Sequence, residues 1–223
     1  MFKVAIDGPS GAGKSTIARA AAKTLGFIYI DTGAMYRTAA LACIAENIDI
    51  RNSPEDAIKI VNNISIDIEY KDGEQRIFLD GEDVSDKIRT PEISMGASAV
   101  SAIGKVREKL VAIQRDLAGT KNVIMDGRDI GTHVLPDADV KIFLTASPET
   151  RANRRYKELT EKGISVEYSD VLADIIKRDH DDSTRAVSPL KQAEDAVLAD
   201  TSELTFDESL KLVTDIINQK RKV

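Results

Sequence analysis

Gly8-Pro9-Ser10-Gly11-Ala12-Gly13-Lys14-Ser15-Thr16 fits the spacing G-x-x-x-x-G-K-[ST], with Gly8, Gly13, Lys14 and Ser15 at the four fixed places. Each residue type has a physical reason to stand there. Glycines let the backbone fold closely round an anion, because no Cβ intrudes and positive φ costs little. The turned N–H groups then point inward as a nest for phosphate oxygens. Lys14 has the reach for β- and γ-phosphates, and the Ser15 hydroxyl suits a Mg²⁺ ion. A helix that begins here adds its positive N-terminal dipole.

On the N-terminal side of this loop, Phe2-Lys3-Val4-Ala5-Ile6 reads as a short buried strand, an apolar run ended by Asp7-Gly8-Pro9. Thr16 to Leu25 is rich in alanine and reads as a helix, with Gly26 as its stop. Strand, loop and helix in this order is the context the motif requires. The chain is therefore expected to bind a nucleotide polyphosphate along Gly8 to Thr16.

The remaining strands read in the same way. Phe27 to Asp31, Asn122 to Gly127, Val140 to Thr145 and the weaker Ala196 to Ala199 are apolar runs parted by helical stretches. Helices are expected from about Ala34 to Asn47 with Thr32 as N-cap, and from Pro54 to Asn62. Others run from Pro91 to Ala118 in two pieces parted near Gly104, over 148–162 and 168–180, and from Phe206 to Lys220. One stretch departs from this pattern. Ile64, Ile66, Ile68 and Tyr70 alternate with polar residues, Asp72-Gly73 gives a turn, and Arg76-Ile77-Phe78-Leu79 returns. That is an inserted antiparallel hairpin at about 64–84. Alternating strands and helices imply right-handed crossovers and a mainly parallel five-stranded sheet, an α/β fold with helices on both faces.

Ligands on such sheets sit beyond the strand C-termini. Those ends carry Asp7-Gly8, Asp31-Thr32 and Asp126-Gly127-Arg128-Asp129. Asp126 is placed like the acidic partner of a phosphate-binding loop, which orders Mg²⁺ and its waters. Further on, Arg151, Arg154 and Arg155 stand at i, i+3, i+4, and Arg178, Asp182 and Arg185 at i, i+4, i+7, so each set shares a helical face if its helix persists. A charged face is commonly plain solvated surface. Here an acidic chain must neutralise a polyphosphate, and planar two-pronged guanidinium groups suit that task.

Composition narrows the class. The chain has 223 residues, with 31 basic against 37 acidic side chains and a net charge of −6. That balance speaks against a nucleic-acid or anionic-membrane surface. No signal peptide or long apolar run appears, so a cytoplasmic chain without membrane association is expected. Cys43 is the one cysteine, which excludes an internal disulfide and reads as a small buried apolar residue. His133 and His180 carry no motif.

The sequence resembles the bacterial cytidylate kinase (CMP/dCMP kinase) family, a branch of the nucleoside monophosphate kinases, from Val4 to the final helix. Four stretches carry the resemblance: Ile6 to Thr16, Asp31-Thr32-Gly33-Ala34-Met35-Tyr36-Arg37, Asp126-Gly127-Arg128-Asp129-Ile130-Gly131-Thr132, and Arg178 to Leu190. It implies the fold of the P-loop nucleoside triphosphatases. A core would span about 1–31, 105–147 and 186–223, an NMP-binding region with its insert about 32–104, and a helical lid about 148–185. It implies transfer of a phosphoryl group from ATP, with Mg²⁺, to CMP or dCMP in pyrimidine nucleotide metabolism, by a monomer.

The resemblance also implies residue roles. Ser10 and Arg37, with Arg128 and Arg185, would meet the acceptor nucleotide and its phosphate. Ser98, Arg107 and Asp129 would read the cytosine ring, and Arg178 and Asp182 the ribose hydroxyls. Arg154 and Arg155 would be the lid residues for the donor phosphates. Lys14, Arg128, Arg185, Arg154 and Arg155 form the expected catalytic set, and Ser15 with Asp126 the metal-holding pair. Thr32 stands where some members carry serine, a change that keeps the hydroxyl at a sugar-binding position. Another small-molecule P-loop kinase is disfavoured by the insert and the Ser98, Arg107 and Asp129 set. A guanine-nucleotide switch is disfavoured because the chain has no N-K-x-D motif.

Overall fold

The computed structural model describes residues 1–71 and 74–221, in two compact units. The first comprises 1–29 and 121–223. Its strands are β1 (Lys3–Asp7), β2 (Ile28–Asp31), β6 (Val123–Gly127), β7 (Val140–Thr145) and β8 (Val197–Asp200). They form one five-stranded sheet of order β2-β6-β1-β7-β8, with β1 at its centre. Strand β1 runs parallel to both β6 and β7, and β7 parallel to β8. Val4, Ala5 and Ile6 of β1, like Val123, Ile124 and Met125 of β6, are almost wholly buried. A continuous apolar run is what a strand covered on both faces requires.

Helices α1 (Lys14–Leu25) and α8 (Phe206–Arg221) pack on this sheet. Ile17, Ala18 and Ala21 from α1 and Val213 and Ile217 from α8 form one apolar cluster with Ile6, Ile124, Ile142 and Leu144. Their spacing of three and four residues puts them on single helical stripes. Two further helices, α6 (Pro148–Glu161) and α7 (Tyr168–Thr184), pair through Ala152, Val171 and Ile175. The rings of Tyr156 and Tyr168 meet edge-on at 6.0 Å beside that contact.

The second unit, 30–120, opens with the last two residues of β2. It holds α2 (Thr32–Ala45), α3 (Pro54–Asn63), β3 (Ile66–Lys71), β4 (Glu74–Leu79), β5 (Glu82–Asp83), α4 (Pro91–Ser101) and α5 (Gly104–Ala118). Its core joins Met35, Ala39 and Cys43 of α2 to Val61, Ile77, Ile93, Val100 and Leu110. Lys109 closes the end of α3, its Nζ donating to the carbonyls of Val61 and Ile64, each at 2.7 Å, and of Asn62 at 3.2 Å. A lysine there satisfies carbonyls that a helix C-terminus leaves without partners.

The inserted antiparallel element is present, with a third strand besides the expected pair. Strand β5 pairs with β4 through Glu82 and Asp83, a stretch too short to show any periodicity. The expected turn at Asp72-Gly73 lies outside the described residues. The N-cap of α2 is not Thr32 but Asp31, whose carboxylate accepts from the Ala34 amide at 2.9 Å. Thr32 is already the first helical residue, and Asp31, at the extended strand end, has the backbone a cap needs. Helix α7 runs to Thr184, beyond the expected end near residue 180. Among the described residues, no helix is long and apolar enough to cross a membrane.

Candidate active site

The phosphate-binding loop takes its shape from how closely it passes β7. Gly8 has φ +148°, and a Cβ there would stand 1.9 Å from the carbonyl oxygen of Leu144, so only glycine fits. Gly13, at φ +85°, turns the chain into α1, and its carbonyl accepts the Ile17 amide at 3.0 Å. Lys14 is buried, and its Nζ donates to the Pro9 carbonyl at 2.7 Å, folding the side chain back over the loop. Burial, and then the neighbouring Arg128 guanidinium, pull its pKa down to about 7 against the attraction of Asp126, Asp7 and Asp182. An anion placed in the loop would restore the charged lysine.

Ser15 Oγ donates to Asp126 Oδ2 at 2.8 Å, and the Tyr29 hydroxyl donates to Asp126 Oδ1 at 2.9 Å. The end of β6 therefore presents a buried carboxylate beside the loop hydroxyl. Two hard oxygen ligands side by side are the donor set that Mg²⁺ uses together with phosphate oxygens and water.

Residues just after β6 join those at the end of α7. Arg128 Nε donates to Asp182 Oδ2 at 2.8 Å, and Arg185 Nη2 lies 3.9 Å from Asp129 Oδ1. Burial raises the Asp182 pKa, but the guanidinium groups of Arg128, Arg178 and Arg185 outweigh it and hold the carboxyl below its ordinary range. Arg185 stands just beyond the last helical residue, with its Nε donating to the Ser188 carbonyl at 2.7 Å. Arg128, Asp129, Asp182 and Arg185 thus form one polar group inside the first unit, to which the exposed Arg178 adds positive potential.

The three arginines of α6 separate by role. Arg151 is only 3 % exposed, and its guanidinium grips Asp179 by two bonds at 2.9 and 2.6 Å. It also donates to the carbonyls of Ala146 at 2.9 Å and of Ser10, inside the loop, at 3.1 Å. Arg154 lies over the loop, donating to Thr201 O at 2.8 Å and reaching towards Ala12 O at 3.5 Å. Arg155 is exposed and pairs with Glu158 one turn on, at 2.8 Å.

The second unit carries the other expected residues. Arg37 donates to Asp31 Oδ2 at 3.0 Å, at the start of α2 beside the buried Thr32. The buried Arg107 of α5 lies over the Tyr36 ring at 5.7 Å, while Ser98 is exposed on α4. Sequence reasoning missed Tyr29, Tyr36, the structural commitment of Arg151, and the clamp made by Asp7. For Asp7 a signal existed, a carboxylate at the end of an apolar strand, but its partners lie far along the chain.

A sequence model of the family described as "Cytidylate kinase" matches residues 4–219. The cytidylate kinase of Caldicellulosiruptor bescii is 55% identical over 218 residues, covering 96% of this chain and 95% of that protein. That of Lactobacillus johnsonii is 50% identical over 222 residues, covering 100% of this chain and 96% of that protein. A solved structure of an uncharacterized protein from Eubacterium ventriosum shares the fold, with a TM-score of 0.55 at 10% identity, covering 98% of this chain and 99% of that one. With its phosphate-binding loop intact and its match running nearly end to end, the chain belongs to the cytidylate kinase family.

Proposed function

We propose that the chain transfers the γ-phosphoryl group of ATP to CMP or dCMP, forming CDP or dCDP. The observation that carries this reading is the family match over residues 4–219; it is supported by a phosphate-binding loop that passes too close to Leu144 for any residue but glycine at Gly8, with Lys14 folded over the loop and the Ser15 hydroxyl beside Asp126. Phosphoryl transfer asks little covalent chemistry of the protein, so positioning and charge stabilisation carry the rate, and no general base is needed.

The residue roles proposed are those that the family resemblance implies, and the charges of the side chains suit them. Lys14 and the loop amides hold the donor phosphates, and Lys14 swings from the Pro9 carbonyl to a phosphate oxygen when ATP enters. Ser15 and Asp126 would hold Mg²⁺, which when bound neutralises charge on the β- and γ-phosphates. Arg128 and Arg185 stabilise the transferring group and the acceptor phosphate, and Arg37 grips the same phosphate. Asp182 and Arg178 meet the ribose. Asp129, Arg107 and Ser98 read the base, and Ser10 and Thr32 complete the acceptor contacts. Arg154 serves the donor phosphates from α6. Arg155 joins it once its pairing with Glu158 is released, with α6 and α7 acting as a lid that excludes water.

A coupled assay of ADP formation with ATP, Mg²⁺ and each of CMP, dCMP, UMP and AMP tests this directly. Efficient turnover with CMP and dCMP is expected; equal or better turnover with AMP would overturn the reading.

A further inference from the structure

Asp7 is buried at the last position of β1, immediately before the phosphate-binding loop, and the roles above leave it without one. Its two carboxylate oxygens each accept a single backbone amide from the chain beyond β6. Oδ1 accepts from Ile130 at 2.8 Å and Oδ2 from Gly131 at 2.7 Å. Residues Ile130–Val134 form one wide helical turn, in which the amides of His133 and Val134 both close on the Asp129 carbonyl, at 2.9 and 3.1 Å. The amides of Ile130 and Gly131 begin that turn and face away from its carbonyls, so their partner must come from elsewhere. Asp7 is that partner.

The clamp has consequences for Asp129. Its carbonyl anchors the wide turn, and the two amides that follow it are tied to Asp7, so the main chain carrying its buried carboxylate is fixed on its C-terminal side. On the other side, Gly127 lies in register with Asp7 in the β1–β6 pairing. Gly131 closes the arrangement: a Cβ there would stand 3.3 Å from Asp7 Oδ2 and 3.1 Å from Lys141 Cδ, leaving little slack.

We propose that Asp7 is a positioning residue for acceptor choice, setting the direction of the Asp129 carboxylate through the amides of Ile130 and Gly131. The strand end that feeds the donor loop thereby also governs which base is accepted. This deepens the base-reading role given to Asp129 and rests on it. If Asp7 instead only braced the loop or balanced Lys14, its loss would fall on ATP, and on all acceptors alike.

Two variants test this by opposite means. Asp7→Asn keeps the size and one oxygen but turns an NH₂ group against a backbone N–H. Gly131→Ala leaves Asp7 intact and presses a methyl group against its Oδ2. kcat and KM are measured for CMP, UMP and ATP on the full chain with Mg²⁺, with Asp129→Ala as the reference. A misdirected buried hydrogen bond is worth about tenfold. Asp7→Asn should therefore raise the CMP KM by about tenfold and shrink the CMP-over-UMP ratio of kcat/KM by a similar factor, with the ATP KM changing by less than about twofold. Gly131→Ala should move the same quantities in the same direction by about threefold, and it decides the matter alone if the Asp7 variant does not fold. An Asp129→Ala enzyme with an unchanged ratio would remove the base-reading role itself, and this inference with it. A ratio that collapses in Asp129→Ala but keeps its wild-type value in Asp7→Asn and Gly131→Ala would overturn the inference alone.

Discussion

Ser15 and Asp126, 111 residues apart in sequence, meet through a 2.8 Å hydrogen bond from the Ser15 hydroxyl to Oδ2, while Tyr29 holds the other carboxylate oxygen. Asp126 is thereby aimed before any ligand arrives, and a pre-aimed carboxylate loses little entropy on binding an ion. Asp126→Asn should raise the free Mg²⁺ needed for half-maximal rate by about tenfold or more, the scale on which losing an oriented partner acts at metal sites. Ser15→Ala should shift the same curve less. Titrating Mg²⁺ at fixed ATP checks this; a curve unmoved by Asp126→Asn would remove these residues from the ion's site.

Lys14 makes a second, separable prediction. In its proposed role its charge follows the transferring phosphoryl group, so Lys14→Ala should lower kcat by about two orders of magnitude or more. CMP affinity, measured on its own by calorimetry, should fall far less. Turnover close to wild type would show that the donor phosphates lie elsewhere.

The pH dependence of stability should carry the mark of Asp7, whose pKa burial raises to about 6 from 3.8 despite the amides of Gly131 and Ile130. An acid with a raised folded-state pKa binds more protons folded than unfolded between those two values. Its contribution is therefore most favourable below about 4 and is lost as pH rises through about 6. Urea unfolding of wild type and Asp7→Asn at pH 5 and pH 7 should show the wild type losing stability relative to the variant over that interval. A difference independent of pH would contradict the shift.

Arg151 invites a stability prediction. With the guanidinium buried and Asp179 gripped at two points, Arg151→Met strands a carboxylate that is 27% exposed. A fully buried pair broken in this way costs roughly 3–5 kcal/mol, so with Asp179 partly solvated we expect about 2–3 kcal/mol. The double variant with Asp179→Asn should cost less than the sum of the singles, because the stranded charge is gone. Additive losses would mean the pair does not act as a unit.

Features with a local cause are legible in the sequence, and those with a distant cause are not. The phosphate-binding loop, the buried strands and most helix stops follow from spacing and residue type within a few positions, and the structure has them within a residue or two; α7, which runs four residues past its expected end, is the exception. The cap of α2 is not decided by residue type, because Asp31 and Thr32 are adjacent and both suited to capping; only the extended backbone of Asp31 separates them. Strand β5 is two residues long and leaves no pattern. The division of labour among Arg151, Arg154 and Arg155 was hidden too, since identical side chains on one helical face differ only in what packs opposite. Asp7 binds amides 123 and 124 residues further on, a relation that no local pattern contains.

In its proposed role the buried Asp129 selects the cytosine nucleotide, and the ratio of kcat/KM for CMP over UMP reads that selection out. Cytosine offers an amine at N4 that a carboxylate can accept, whereas uracil turns an oxygen towards it. Leaving such buried groups mispaired costs about 1–3 kcal/mol each, so wild type should prefer CMP by well over tenfold. In Asp129→Ala the efficiency on CMP should fall sharply and that on UMP much less, drawing the ratio towards unity. Equal proportional losses on both acceptors would rule out base reading by Asp129.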